Sequence, residues 1–140
     1  MVESSENAFH IYAALTIHGV PGLCFLRGNP QRLIQEYSLR PEQILLLSSR
    51  ALFGFEAAED LQEISHRVSR FLEKNRNSVI LVDGLEYLAS RFGFDSTYRF
   101  IQEKVYDAVE ADVVLLFPAD PKTFNERERA LLTSELRTLQ

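Results

Sequence analysis

The stretch SVILVDGLEYL, residues 78–88, decides the fold: it is an apolar run that ends in an acid and a glycine. Its core, VILV (79–82), shows no alternation with polar residues. Continuous apolar runs of this length are typical of strands buried on both faces, as in a parallel sheet. The polar end of the run leaves two interpretations of Asp83, which could bind a metal ion or could cap the helix that follows.

Working outward, three more runs share this character: LCFL (23–26), ILLL (44–47) and VVLLF (113–117). We therefore predict parallel strands near 23–27, 44–48, 78–83 and 113–117. Helical patterns fill the intervals, over 9–17, from Asn29-Pro30, over 59–75, from near Asp95 and from Asn125. Alternation of this kind predicts an α/β three-layer sandwich around a mainly parallel sheet of four or more strands.

Two details of the helix near Asp95 are predicted from its pattern. Asp95 is the expected N-cap, because a short polar side chain can accept from the free N–H groups of the first turn. Ile101, Val105, Ala108 and Val109 recur at helical spacing, so we expect them to lie on one face of this helix.

The composition limits the class of protein. A chain of 140 residues with 46% hydrophobic content predicts one domain, over 8–140, after a flexible N-terminus over 1–7. No apolar run is long enough to predict membrane insertion, and the N-terminus does not resemble a signal peptide. A single cysteine, Cys24, fits a cytoplasmic protein. A net charge of −5 with scattered arginines argues against nucleic-acid binding.

The sequence shows no set of residues that could act together in catalysis. His10, His18 and His66 lie in separate segments, so we expect no metal site. Cys24 lies within a strand, where a buried thiol is ordinary packing. The glycine-bearing turn HGVPGLCF (18–25) lacks the Gly-Lys of a phosphate-binding loop, and no GxSxG elbow is present. We therefore expect no catalytic residue, no cofactor and no enzymatic activity.

Most of the chain carries a family resemblance. HGVPGLCFLRGNPQRLIQEYSL, ILLLSS, SVILVDGLEYLASRFGFDSTYRFIQ and FPADPKTFNERERALLTSEL together resemble the domain of unknown function 835 family, from about Phe9 to Leu139. That family is often attached to sensory or regulatory domains. The resemblance implies a strand order of second, first, third, fourth, and a regulatory or signalling interaction module.

A more distant similarity is to RecA-like ATPases of the KaiC type. There the strand after the PG turn ends in paired glutamates that activate water, whereas Arg27 and Gly28 stand here. The phosphate-binding loop and its lysine have no counterpart. Asp83 is similar in place to a Walker B aspartate without its catalytic partners, so we expect it to cap the next helix, with metal binding as the alternative.

The expected strand order supports a second hypothesis, in which the domain is a sensor that binds a small molecule or nucleotide. Open α/β sheets bind ligands where the chain reverses direction, beyond the carboxyl ends of the strands. Arg27 could take an anion there, or it could pair with Asp83 and close the site. The side chains expected around this crevice are Arg27, Asn29, Ser48, Ser49, Arg50 and Asp83.

A partner surface is expected in the loop ALFGFEAA (51–58), after a second strand predicted to lie at the sheet edge. Phe53 and Phe55 flank Gly54, an unusually apolar content for a surface connection. They could fold over the end of the sheet and extend the core. Alternatively, at least one could anchor a protein partner or a second copy of this chain.

Overall fold

A computed structural model of the chain describes residues 1–3, 5–52 and 54–136. Within these residues, short 3₁₀ turns at Pro41–Gln43 and Pro121–Thr123 accompany six α-helices and five strands. The helices are Ser5–Ile17 (α1), Pro30–Tyr37 (α2), Leu61–Lys74 (α3), Leu85–Phe92 (α4), Phe94–Ala111 (α5) and Glu126–Glu135 (α6). The strands are Gly22–Leu26 (β1), Ile44–Leu47 (β2), Ala57–Ala58 (β3), Val79–Val82 (β4) and Val114–Leu116 (β5).

The strands form one sheet in the order β3-β2-β1-β4-β5, and every neighbouring pair is parallel. The predicted order of the four long runs is confirmed. The prediction that the second run lies at the edge is wrong, because β3 pairs with the outer side of β2. β3 consists of two alanines, so it is too short and its side chains are too small to be recognised as an apolar run in the sequence.

Helices cover both faces of this sheet, which confirms the predicted three-layer sandwich. Strand residues alternate between the two faces, as the period of two requires. Leu23, Phe25 and Ile80 pack in a cluster with α3, α4, α5 and α6. Cys24 and Leu81 pack in a second cluster with α1 and α2. The continuous apolar runs of β1, β2 and β4 are therefore explained by burial on both sides.

Two local predictions need correction. Val114, in the fourth run, is 44% exposed because β5 is an edge strand. Asp95 is not the N-cap of α5; Gly93 holds that position, and Asp95 lies in the first turn.

At the N-terminus, Met1 and Val2 are buried, and α1 begins at Ser5.

The contact of α1 with β1 depends on Gly22. A Cβ atom there would lie 2.5 Å from the Tyr12 hydroxyl oxygen and 2.8 Å from the Thr16 methyl group. Both of these side chains are buried, and the Tyr12 hydroxyl donates to Gln43 Oε1 at 3.0 Å. Little free space is therefore left into which the helix could shift.

We expect Gly22→Ala to lower the free energy of unfolding by about 1–3 kcal/mol, because the added methyl overpacks this contact. Urea denaturation monitored by circular dichroism measures the change. Gly28→Ala is the matched control, since a Cβ atom at Gly28 meets nothing within 4 Å. Equal stability of the two variants would contradict the close packing of α1 on β1.

Candidate functional site

The candidate site lies at the carboxyl ends of β1 and β4, the two central strands. The Asp83 N–H donates to the Phe25 carbonyl at 2.9 Å, which holds the two strand ends together. After β1 the chain enters α2 on one face of the sheet, and after β4 it enters α4 on the other. This divergence is the switch point at which α/β sheets commonly bind ligands.

The Arg27 side chain covers one side of the switch point. Its guanidinium donates to the Leu47 carbonyl at 2.6 Å and lies 3.8 Å from the centre of the Tyr87 ring. Its aliphatic part lies against Gly84, where an added Cβ atom would approach Arg27 Cγ to 2.9 Å. Arg27 therefore joins the end of β2 to the first turn of α4.

The predicted Arg27–Asp83 ion pair is wrong, since neither group pairs with the other among the described residues. The reason is the alternation of side chains along the strands. Arg27 follows the direction of Phe25, toward α4, whereas Asp83 follows that of Leu81, toward α1. Two residues that meet at the same sheet edge therefore point to opposite faces.

Asp83 is held by α1 and does not cap α4. Its carboxylate accepts from the Ser5 hydroxyl at 3.2 Å. The N-cap of α4 is Gly84, with no side-chain cap hydrogen bond, so the capping prediction is wrong. Burial raises the pKa of Asp83; the Ser5 hydrogen bond acts in the opposite direction, and nearby Glu86 adds to the increase.

Asp83 also lies near the buried Cys24, and burial, followed by the Asp83 charge, raises the pKa of that thiol well above its ordinary value. A thiol of this kind packs as a small apolar group. Among the described residues, no group of three or more His, Cys, Asp or Glu side chains could hold a metal ion.

The other predicted crevice residues make local contacts. The Asn29 side chain accepts from Gln31 N–H at 3.0 Å and caps α2. The Ser48 hydroxyl donates to the Arg50 carbonyl at 2.7 Å and accepts from the Arg50 N–H at 3.2 Å. Ser48, Ser49 and Arg50 line an open cavity of about 300 Å³ between the end of β2, β3 and α3. They therefore surround a different space from Arg27.

The predicted aromatic anchors are only partly visible. Phe53 lies outside the described residues. Phe55 is half-buried against the cluster under α1 and α2, and its N–H donates to the Leu52 carbonyl at 2.9 Å. Leu52 is 38% exposed. The described part of the loop thus contributes Phe55 to the core and leaves Leu52 at the surface.

The exposed apolar residues on α5 and β5 were missed by sequence reasoning. Val109 was expected to share a helix face with Ile101 and Ala108, which are buried, but it is 73% exposed, and Tyr106 on the same helix is 65% exposed. Val114 on β5 is exposed as well. The helical spacing predicts an apolar face wide enough to include Val109. However, β5 is the edge strand of the sheet, so that part of α5 lies beyond the last strand. Tyr87 was missed too, although it lies three residues after Gly84, on the first turn of α4.

Fold and site together define a three-layer α/β domain whose central switch point carries an arginine stacked on a tyrosine. The chain belongs to the family described as protein of unknown function (DUF835), whose model matches residues 1–136. Neither the curated proteins nor the solved structures contain a significant match. Among the described helices, none has the length and apolar character needed to cross a membrane.

Arg27→Ala should lower the free energy of unfolding by about 1–2 kcal/mol, because it removes both the bond to the Leu47 carbonyl and the contact with Tyr87. Arg32→Ala is the control. Arg32 pairs with Glu36 on the surface, with 80% of its side chain exposed, and its loss should cost less than about 0.5 kcal/mol. Chemical denaturation of both variants decides whether Arg27 holds the switch point.

Asp83→Asn should be more stable than the wild type at neutral pH and lose this advantage in acid. The raised pKa means that the folded chain binds the proton more tightly than the unfolded chain. The cost of burying the carboxylate is absent below the ordinary carboxyl pKa of 3.8 and fully present above the raised pKa. Urea midpoints from acid to neutral pH measure this difference.

The Ser5→Ala variant is the companion test, because it removes the hydrogen-bond donor and keeps the half-buried carboxylate. It should destabilise the protein at neutral pH and have less effect in acid. A loss of stability at neutral pH in Asp83→Asn would show instead that the fold needs the ionised carboxylate.

Proposed function

We propose that this domain is a non-catalytic regulatory or signalling interaction module, built like a RecA/KaiC domain without ATPase chemistry. The observation that carries the proposal is the exposure of two apolar side chains, Val109 on α5 and Val114 on β5, that line one groove at the β5 edge. Apolar surface gathered at one margin of a small domain marks a site for another protein more often than a site for chemistry.

The arrangement around Arg27 supports the non-catalytic part of the proposal. A nucleotide at the switch point would need free backbone N–H groups and a lysine for its phosphates. The sequence supplies no such loop, and Arg27 is already engaged by Leu47 and Tyr87. Asp83 lies on the other face of the sheet and accepts a hydrogen bond from Ser5, and the sequence has no counterpart of the paired glutamates that would activate water.

The proposal includes a cellular compartment, the cytoplasm, and a class of partner, other proteins. A cytoplasmic setting suits Cys24, whose buried thiol is the chain's single cysteine and has no partner for a disulfide. The net charge of −5 favours protein partners over nucleic acid.

A second candidate function is the sensing of a small molecule. It is favoured by the cavity of about 300 Å³ beside Ser48, Ser49 and Arg50, at the carboxyl end of β2. Glu56, Glu59 and Glu63 also line this cavity, together with Arg50 and Arg67, and Arg67 pairs with Glu56 at 3.4 Å. A ligand there would therefore meet both carboxylates and guanidinium groups.

We expect no ATP hydrolysis and no rise in melting temperature with Mg²⁺–ATP, Mg²⁺–GTP or the corresponding diphosphates, because the sequence has no phosphate-binding loop with its lysine and Arg27 is already engaged by Leu47 and Tyr87. Differential scanning fluorimetry and a phosphate-release assay provide the measurements.

A saturable rise in melting temperature would contradict the proposed function. Two variants would then locate the ligand. A rise lost in Arg50→Ala would indicate the sensor cavity, and a rise lost in Arg27→Ala would indicate the switch point.

A further inference from the structure

The helix α1 is apolar on its outward side as well as on the side that packs on the sheet. Over residues 7–17 it carries no Asp, Glu, Lys or Arg. Phe9 and Tyr12 are buried in the cluster under α1, whereas Ala14 and Ile17 are exposed, Ile17 by 73%. A helix that is apolar all round is normally covered on every side. The outward side of α1 therefore has the composition of a contact surface.

A groove lies between this side of α1 and the end of α2, with a volume of about 360 Å³. Tyr37 of α2 forms one wall, and its ring is held by Phe9 and His10, whose ring centres lie 5.1 Å and 5.3 Å away. The exposed Ile17 lines the same groove. The lining residues from α1 are His10, Ala13, Ala14, Thr16 and Ile17. A projecting apolar side chain and a concave surface that could receive one therefore lie on the same helix.

The spacing of these residues along α1 suits a second copy of the same helix. His10 and Ile17 stand two turns apart, with Ala13 and Ala14 midway between them. If two copies of α1 cross in antiparallel directions at the alanines, each Ile17 meets the other copy's groove beside His10. Small side chains at the crossing point allow the two helices to approach closely. Such a surface is complementary to itself, as a twofold interface requires.

The direction of the helices places opposite charges at the two ends of the groove. α1 begins beside Asp83 at the carboxyl end of β4, because Ser5 donates to that carboxylate, and α2 begins directly after β1. Both helices therefore run toward the amino end of the sheet. Glu36 and Arg40 line the groove, with Glu36 nearer the start of α1 and Arg40 nearer its end. An antiparallel copy brings the Arg40 of each chain toward the Glu36 of the other.

These charges favour a second copy over a partner of another kind. Among the described residues, Arg40 forms no ion pair, and it is the one guanidinium that lines the groove. Glu36 pairs with Arg32 at 3.6 Å outside the groove, and 48% of its side chain remains exposed. A partner of one sign would be attracted at one end and repelled at the other. An antiparallel copy meets the opposite charge at both ends.

We propose that two copies of this chain associate through α1 in an antiparallel, twofold-symmetric dimer. Ile17 of each copy packs into the groove between α1 and α2 of the other, and Arg40 of each copy faces Glu36 of the other. This inference goes beyond the proposed function, because α1 covers the opposite face of the sheet from α5 and the groove at the β5 edge is not involved.

Sedimentation equilibrium of the whole chain, from micromolar to millimolar concentration, tests for the dimer. The mass should rise from 16.1 kDa toward twice that value. Ile17→Ser should weaken the association about tenfold or more, because it removes an apolar anchor from the interface. Val109→Ser is the matched control, since Ile17 and Val109 are both helix residues that are 73% exposed. It should associate like the wild type, and circular dichroism checks that each variant is folded.

Exchange of the charges tests the antiparallel direction. Arg40→Glu and Glu36→Arg should each weaken the dimer by about threefold to tenfold, because each places like charges together. The double variant should recover much of the lost affinity, since every copy again presents opposite charges to its partner. Weakening by both single changes without recovery in the double variant would contradict this pairing.

An introduced cysteine tests the crossing point. Ala14→Cys should form a disulfide-linked dimer when treated with oxidised glutathione, because a residue beside a twofold axis meets its own copy. The chain's own Cys24 is buried and does not compete. Val109→Cys, treated in the same way, should remain largely unlinked.

A mass of 16.1 kDa at every concentration would overturn the inference, and so would equal effects of the two serine variants. A dimer that is lost in Val109→Ser and kept in Ile17→Ser would overturn it as well, by assigning self-association to the β5 edge. Failure of the dimer leaves the proposed function standing, because that function is contradicted by a nucleotide-induced rise in melting temperature.

Discussion

Burial of both faces of a single parallel sheet is the constraint on which the rest of the structure depends. β1, β2 and β4 are buried along their whole lengths, so each strand residue must suit the helical layer that it faces. Apolar burial contributes about 25 cal/mol per Å² removed from water, so the burial of these strands between two helical layers stabilises the fold. The close contact of Gly22 with Tyr12 and Thr16 shows how tightly one of those layers is applied.

The same constraint decides the chemistry at the carboxyl ends of the strands. Strand alternation sends Arg27 toward Tyr87 and Asp83 toward Ser5, on opposite sides of the sheet. The two charged groups that define the candidate crevice therefore each contact a different helical layer of the sandwich. A switch point arranged in this way stabilises the junction of β1, β2 and α4. It therefore favours an interaction role for another part of the surface.

A sheet must end somewhere, and its two edges differ here. At one edge β3 is only two residues long, and short edge strands limit unwanted pairing. At the other edge, Val2 covers the chain after β5, while Val109 and Val114 remain exposed.

The amino-acid sequence by itself determined the class of fold, because continuous apolar runs between amphipathic segments can be buried only as a parallel sheet covered on both faces. The family resemblance added the order of the four long strands. Local signals also placed the starts of the helices at Asn29-Pro30 and Asn125, where the structure shows both asparagine side chains capping the helix that follows.

Only the tertiary structure decided which polar groups meet. The partners of Arg27 and Asp83 come from distant segments, and a one-residue difference in strand register reverses the face of each side chain. The exposure of Val109 depended on where the sheet ends, and that limit was set by the packing of β5 beside β4. Helical periodicity reports which residues share a face, but whether anything covers that face is a property of the assembled layers.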